Sequence, residues 1–327
     1  DILNWSYVGA SDVVVAGPPA GLTGWWRGDG NAQDSKGTND GSALGSVSYG
    51  AGKYGQAFVL DGSSAVSIPD GPSLAQPGSF SIGAWVNLTD RYAENTVVSK
   101  DGTLTNYRLQ VQGGRVQLGV AFTDAAASGS LTPAYWDSSA YVACDEGGTC
   151  VVGGASTVSG GTWHNVAGVY DDSTRTLCVY LDGVQDGCAV ITTTGTPVLT
   201  PGEPVLIGAR ATTLLVPGAS LVGSVDQVLL FNRALTITEL QAVYAASSYG
   251  GVLANDTDVE NDPLIAVLAS PTANGTLTLT PEGGFIYRPA AGFVGVDSFT
   301  YVAREASGVT PLDSTQATVS LTVTAGP

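Results

Sequence analysis

The chain has 327 residues, 44 of them glycine and none methionine, and a formal net charge of −17 from 12 Lys+Arg against 29 Asp+Glu. So acidic a chain lacks the basic stripe of a nucleic-acid-binding surface, and it contains no run of 18 apolar residues that could span a membrane as a helix. Its one histidine, His164, allows a single Ser-His-Asp arrangement and excludes multi-histidine metal sites, while positive mean hydropathy with only 13% charged residues excludes disorder.

The length suggests two domains, and the composition is that of a secreted, glycine-rich, all-β protein. Asp1 opens the chain without a leader, which fits either removal of a signal peptide or a fragment. The segment from Ser6 to Gly17 is short and β-branched. Ala16-Gly17-Pro18-Pro19-Ala20-Gly21 follows as a linker. Strand alternation is plain in Ser79–Leu88, Tyr107–Gln112 and Arg115–Val120, and Gly113-Gly114 forms a two-residue hairpin turn between the last two. Leu177–Leu181 and Val184-Gln185 flank Asp182-Gly183, a stronger hairpin signal. The one helix signal is a capping box, Thr236 with Glu239, which predicts a helix at about 236–246. Ser247–Gly251 is a second linker. Beyond it, Thr276–Thr280, Phe285–Tyr287, Val296–Ala303 and Ala317–Val323 predict short strands, and strands at this spacing mean sandwiches.

Four cysteines allow three pairings, and proximity favours Cys144 with Cys150 and Cys178 with Cys188; free buried thiols are the alternative. Neither pair has the spacing of a zinc site.

Gly21–Asp34 (with Trp25-Trp26-Arg27-Gly28-Asp29-Gly30), Gly55–Gly62, Phe80–Val86, Thr162–Asp171, Val179–Gly183, Leu206–Gly208 and Gly223–Leu235 appear in one order. That ordered set resembles the laminin-G-like, concanavalin A-like jelly rolls of secreted bacterial proteins. Gly251–Asp258, Asn274–Leu277, Phe285–Pro289 and Gly292–Tyr301 resemble the cadherin-like, Ig-type repeats of large bacterial surface proteins. The resemblances imply an all-β chain: a concanavalin A-like jelly-roll sandwich at 18–248 and a smaller Ig-like sandwich at 249–327. Such repeats have a first strand ahead of Gly251-Val252-Leu253, where the jelly roll stands here, and residues 1–17 look like that missing strand. They could pair within the chain, making the jelly roll an insertion, or be donated to a neighbouring copy by strand addition; a disordered terminus is the third reading.

Asp29, Asn31 and Asp34 share a loop, and the resemblance brings Asp226 near them. Together they form a candidate calcium set, since hard cations take six to eight oxygens; turn formation by Asp and Asn is the alternative. Asp256, Asp258, Glu260 and Asp262 form a second candidate, similar to calcium segments between cadherin-like repeats. Tyr135, Trp136 and Tyr141 could stack on a sugar or pack beneath their own loop. His164 reads as a structural strand residue, and Trp25, Trp26, Trp85 and Trp163 as core. No strand of the jelly roll carries the carboxylate pair that glycoside hydrolysis needs, so the expectation is a non-enzyme. The sequence reading is thus an extracellular or cell-surface adhesion and recognition module, stabilised by calcium, that binds a glycan or a surface protein. The alternatives are a subunit of an extracellular filament or surface layer, assembled from copies of itself by strand exchange, and an accessory carbohydrate-binding domain of a glycosidase.

Overall fold

A computed structural model describes residues 2–8, 14–16, 19–102, 104–123, 141–144, 148–191, 194–211, 220–245, 251–253, 256, 264–281, 283–305 and 312–324. In chain order the strands are β1 Ile2–Val8, β2 Val14–Ala16, β3 Leu22–Trp26, β4 Ser42–Leu44, β5 Ser48–Ala51, β6 Gln56–Asp61, β7 Ala65–Ile68, β8 Phe80–Leu88, β9 Asn95–Asp101, β10 Thr105–Gln112, β11 Arg115–Ala121 and β12 Tyr141–Cys144. There follow β13 Thr149–Gly153, β14 His164–Asp171, β15 Thr176–Leu181, β16 Val184–Val190, β17 Val205–Ile207, β18 Val222–Phe231, helix α1 Ile237–Ala245, β19 Leu264–Ser270, β20 Gly275–Leu279, β21 Phe285–Pro289, β22 Gly295–Glu305 and β23 Ala317–Thr324. They form two compact units, Gly21–Gln241 and Asp1–Ala20 with Ala242–Pro327.

The larger unit is a jelly roll of two antiparallel sheets. One runs β12-β13-β11-β10-β9-β17-β7-β4, and the other runs β16-β15-β14-β8-β18-β6-β5 with β3 also on β18. Alternation along each strand sends one set of side chains between the sheets. On β10 these are Tyr107, Leu109 and Val111; on β8 they are Phe80, Ile82, Ala84 and Val86. Phe80 packs against Tyr107 at 5.6 Å and Tyr170 at 6.0 Å, and Phe122 meets Tyr170 at 5.4 Å. Each such ring, fully buried, contributes roughly 1.5–3 kcal/mol.

Of the four tryptophans expected in this core, Trp26 occupies it. Trp85 lies between Ala84 and Val86 on one strand, so the period of two carries it to the opposite face, where it is nonetheless buried; Trp25 alternates with Trp26 in the same way. Trp163 is only half-buried, just ahead of β14.

Local signals set the registers. Gly113 and Gly114 take φ of 59° and 76°, and Asp182 and Gly183 take 51° and 74°, the left-handed pair that a two-residue turn requires. The β15–β16 hairpin places Cys178 opposite Cys188, and β12–β13 places Cys144 opposite Cys150; both pairs are disulfide-bonded. At α1, the Thr236 N–H donates to Glu239 and the Glu239 N–H donates to Thr236 Oγ1, a reciprocal capping box that Arg233 completes by pairing with the Glu239 carboxylate at 2.6 Å. The unit's ends meet: Leu22 pairs with Phe231, and the Asn232 N–H donates to the Gly21 carbonyl at 3.0 Å.

The smaller unit is an Ig-like sandwich of sheets β1-β23-β22-β19 and β2-β21-β20. Phe285, Phe299, Tyr301, Val319, Leu321 and Val323 fill its core. β1 runs parallel to β23 with Leu3, Trp5 and Tyr7 in register with the buried Val319, Leu321 and Val323. β2 pairs antiparallel with β21. The Asp297 carboxylate accepts the N–H groups of Ala273 (3.0 Å), Asn274 (2.7 Å) and Ser298 (2.9 Å) and the Tyr287 hydroxyl (2.9 Å). Burial alone would raise its pKa, but these four donors outweigh burial and hold it below the usual carboxylate range.

Candidate functional site

The four residues of the first calcium candidate have three different roles. Asp34 is the hub of its loop. Its Oδ1 accepts the N–H groups of Trp25 (2.8 Å) and Lys36 (2.9 Å), and its Oδ2 those of Thr38 (3.3 Å) and Asn39 (3.0 Å). Asn31 closes a local turn by accepting the Gln33 N–H at 3.0 Å. Both therefore do what Asp and Asn do in turns.

Asp29 and Asp226 come together beside the 52–56 loop. Asp226 stands on β18 opposite Trp85; its Oδ2 accepts the Tyr54 N–H at 2.9 Å, while Oδ1 is buried with no hydrogen-bond partner. Asp29 accepts the Gln56 N–H at 2.8 Å and pairs with Arg27 at 2.8 Å. The loop approaches so closely that a Cβ on Gly52 would lie 2.7 Å from Asp226 Oδ2, and one on Gly55 2.3 Å from Asp29 Oδ1, which explains the two glycines. Burial pushes the Asp226 carboxyl up to about 7; the Tyr54 N–H opposes this, and the Asp29 charge adds to it. Above the pair, Lys53 sits 4.3 Å from the Trp85 ring and Tyr54 meets that ring edge-on at 6.0 Å. Among the described residues no group of three or more His, Cys, Asp or Glu converges as for a metal. Asp226 Oδ1, buried without a hydrogen bond, and the neighbouring Asp29 are the groups that would hold a cation here, and such an ion would supply positive charge to a buried carboxylate.

In the second calcium candidate, Asp256 accepts the Tyr301 hydroxyl at 2.9 Å. Asp258, Glu260 and Asp262 lie outside the described residues, as do Tyr135 and Trp136. Tyr141 stands on β12 opposite Gly153.

His164 is more elaborately held than its strand position suggested. Its Nδ1 lies 2.8 Å from Asp182 Oδ2, and its Nε2 lies 2.6 Å from Ser159 Oγ and 3.1 Å from Thr162 Oγ1. The Ser159 N–H also points at Nε2 (3.3 Å), and the Asn165 N–H donates to Asp182 Oδ1 at 2.9 Å. The order Ser-His-Asp is that of a hydrolytic triad. Here the ring also receives a backbone donor and a second hydroxyl, so the same bonds tie the 159–164 turn to the β15–β16 hairpin.

A further polar cluster, absent from the sequence reading, lies on the β9–β11 face that points away from the core. Arg108 and Gln110 alternate with core residues on β10 and stand opposite Gly119 and Gln117 of β11. Gln110 donates to Gln117 Oε1 at 2.7 Å. The Asp101 carboxylate lies 3.7 Å from Arg108 and 3.5 Å from Arg210, and Arg210 pairs with Glu94 at 2.9 Å. Asp101, Arg108 and Gln110 are buried, yet both Asp101 oxygens, Arg108 Nε and Gln110 Oε1 lack hydrogen bonds. Glu94 and Arg210, each 27% exposed, form the rim. The alternation Arg108-x-Gln110-x-Gln112 was visible in the sequence; the convergence of Glu94, Asp101 and Arg210 with it required the fold.

Residues 60–241 match the family model of the concanavalin A-like lectin/glucanases superfamily. The chain belongs to that superfamily. Residues 229–325 match the bacterial cadherin-like domain, so the lectin-like jelly roll is joined to a cadherin-like unit. No curated protein matches the chain. Among solved structures, the botulinum neurotoxin serotype G binding domain is 12% identical with a TM-score of 0.51, covering 89% of this chain and 74% of its own. The botulinum neurotoxin DC binding domain in complex with SialylT is 9% identical with a TM-score of 0.51, covering 90% and 73%. Domain 4 of AbnA, an extracellular arabinanase from Geobacillus stearothermophilus, in complex with arabinotriose, is 21% identical with a TM-score of 0.46, covering 68% and 98%. At these identities the likeness is one of fold.

Proposed function

We propose that this chain is an extracellular, non-catalytic recognition module whose jelly roll binds a glycan at the outer face of β9–β11. The observation that carries this reading is the cluster of unsatisfied polar atoms on Asp101, Arg108 and Gln110 beneath the Glu94–Arg210 rim. A buried polar group without a hydrogen bond costs about 1–3 kcal/mol, and here Arg108 at 3.7 Å and Arg210 at 3.5 Å offset the Asp101 charge without hydrogen-bonding it. Those atoms are themselves screened from solvent, so sugar hydroxyls, which both donate and accept, would meet the partly exposed Glu94 and Arg210 first and reach the mixture of acceptors and donors beneath only as that rim yields. Two arginines face two carboxylates, so the cluster is electrically balanced and suits a neutral saccharide better than a sialylated one. The bacterial cadherin-like unit and the two disulfides support an extracellular setting. Calcium at Asp29 and Asp226 would fix the 52–56 loop of the same jelly roll. A glycan array probed with the whole chain tests the reading: binding to neutral oligosaccharides supports it, and binding to none overturns it.

A further inference from the structure

We propose that β1 and β23 form a shear clamp that carries tension between the two ends of the chain and keeps the jelly roll out of the load path. β1 pairs with β23 over seven consecutive positions, from Ile2 with Thr318 to Val8 with Thr324, and the pairing is parallel. A pull on residue 1 drags β1 toward its N-terminal end, while a pull on residue 327 drags β23 toward its C-terminal end. In a parallel pair these directions are opposite, so the strands slide against each other and the slanted, evenly spaced ladder bonds resist together. An antiparallel hairpin pulled at its open end would instead lose its bonds in succession, like a zip.

Connectivity does the rest. Residues 21–241 join the smaller unit only after β1 and β2 and before β19. While β1 holds, force entering at residue 1 crosses laterally to β23 and leaves, and residues 21–241 lie outside that route along the chain. The bond between Asn232 and Gly21 holds the jelly roll's first residue beside the end of its last strand, as a side branch requires. Behind β1, β2 on β21 provides a second, shorter pairing of three residues. Residues 21–241 mounted this way keep their fold undistorted while the two ends of the chain are under tension.

Optical tweezers test this on the whole chain. One handle stays at residue 327, and the other is attached either at residue 1 or, through Ser11→Cys, behind β1. Forced unfolding reads the barrier of the loaded contact, so the first rupture force should be at least roughly twofold higher with the handle at residue 1. The extension of residues 21–241, about 750 Å at ~3.4 Å per residue, should then come with or after that rupture and never before it. Equal rupture forces for the two attachments, or release of the jelly-roll length at lower force while the smaller unit is intact, would overturn the clamp.

Discussion

Asn232 donates its backbone N–H to the carbonyl of Gly21 at 3.0 Å, which brings the first and last residues of the jelly roll's framework within one hydrogen bond. A unit closed in this way places little demand on what it is attached to. Replacing residues 21–241 by a short Gly-Ser linker should leave the cadherin-like unit folded, because loop-closure cost changes only slowly with length. A single cooperative thermal transition for the shortened chain is the expected result; its loss would show that the smaller unit needs the jelly roll.

The lone Asp226 oxygen makes calcium a stability question. At calcium about a hundredfold above its Kd, unfolding should become about 2.7 kcal/mol less favourable, and Asp226→Asn should abolish that gain. With calcium chelated, the raised folded pKa sets the sign. The buried carboxyl is favoured neutral, so its contribution is full below about 4 and is lost as pH rises through about 7. Melting of the chelated protein against pH should therefore fall across that window in the native chain and stay flat in the variant. A calcium response that survives the substitution would place the ion elsewhere.

Asp297 behaves in the opposite sense. Its folded pKa is lowered, so its contribution is present above about 4 and disappears as pH falls through the folded value. Asp297→Ala should destabilise the cadherin-like unit by roughly 2–4 kcal/mol at pH 7, since four donors lose their acceptor, and should flatten its acid transition. Denaturant melts at pH 7 and pH 3 check both halves.

The Cys178–Cys188 disulfide closes a loop of sequence separation 10 across a hairpin. In the loop-entropy account this stabilises by about 2–3 kcal/mol, so the double serine variant should melt lower by that amount while retaining the fold. A variant as stable as the parent would mean that the Asp182-Gly183 turn already restricts the unfolded chain.

Much of the fold was legible because it is encoded locally. Gly113-Gly114 and Asp182-Gly183 announce their left-handed turns, and Thr236 with Glu239 announces α1. The tryptophans were harder. Trp25-Trp26 and Ala84-Trp85-Val86 show alternation, but only the second sheet decides which member faces inward. The site was less legible still. Asp34 and Asn31 look like cation ligands by type, and their loop's own N–H groups claim them. Ser159 and Asp182 bracket His164 from a preceding turn and a following hairpin, and no spacing rule predicts their meeting. The unsatisfied state of Asp101, Arg108 and Gln110 is a property of packing, which sequence periodicity does not contain.

Hydrogen exchange on the whole chain reports saccharide recognition at the β9–β11 face. Adding a mixture of neutral oligosaccharides should slow amide exchange at residues 95–101 and 105–120, and Arg210→Gln at the rim should weaken that protection roughly tenfold in ligand concentration. Protection confined to other segments, or none there at saturating saccharide, would rule out saccharide binding at this face.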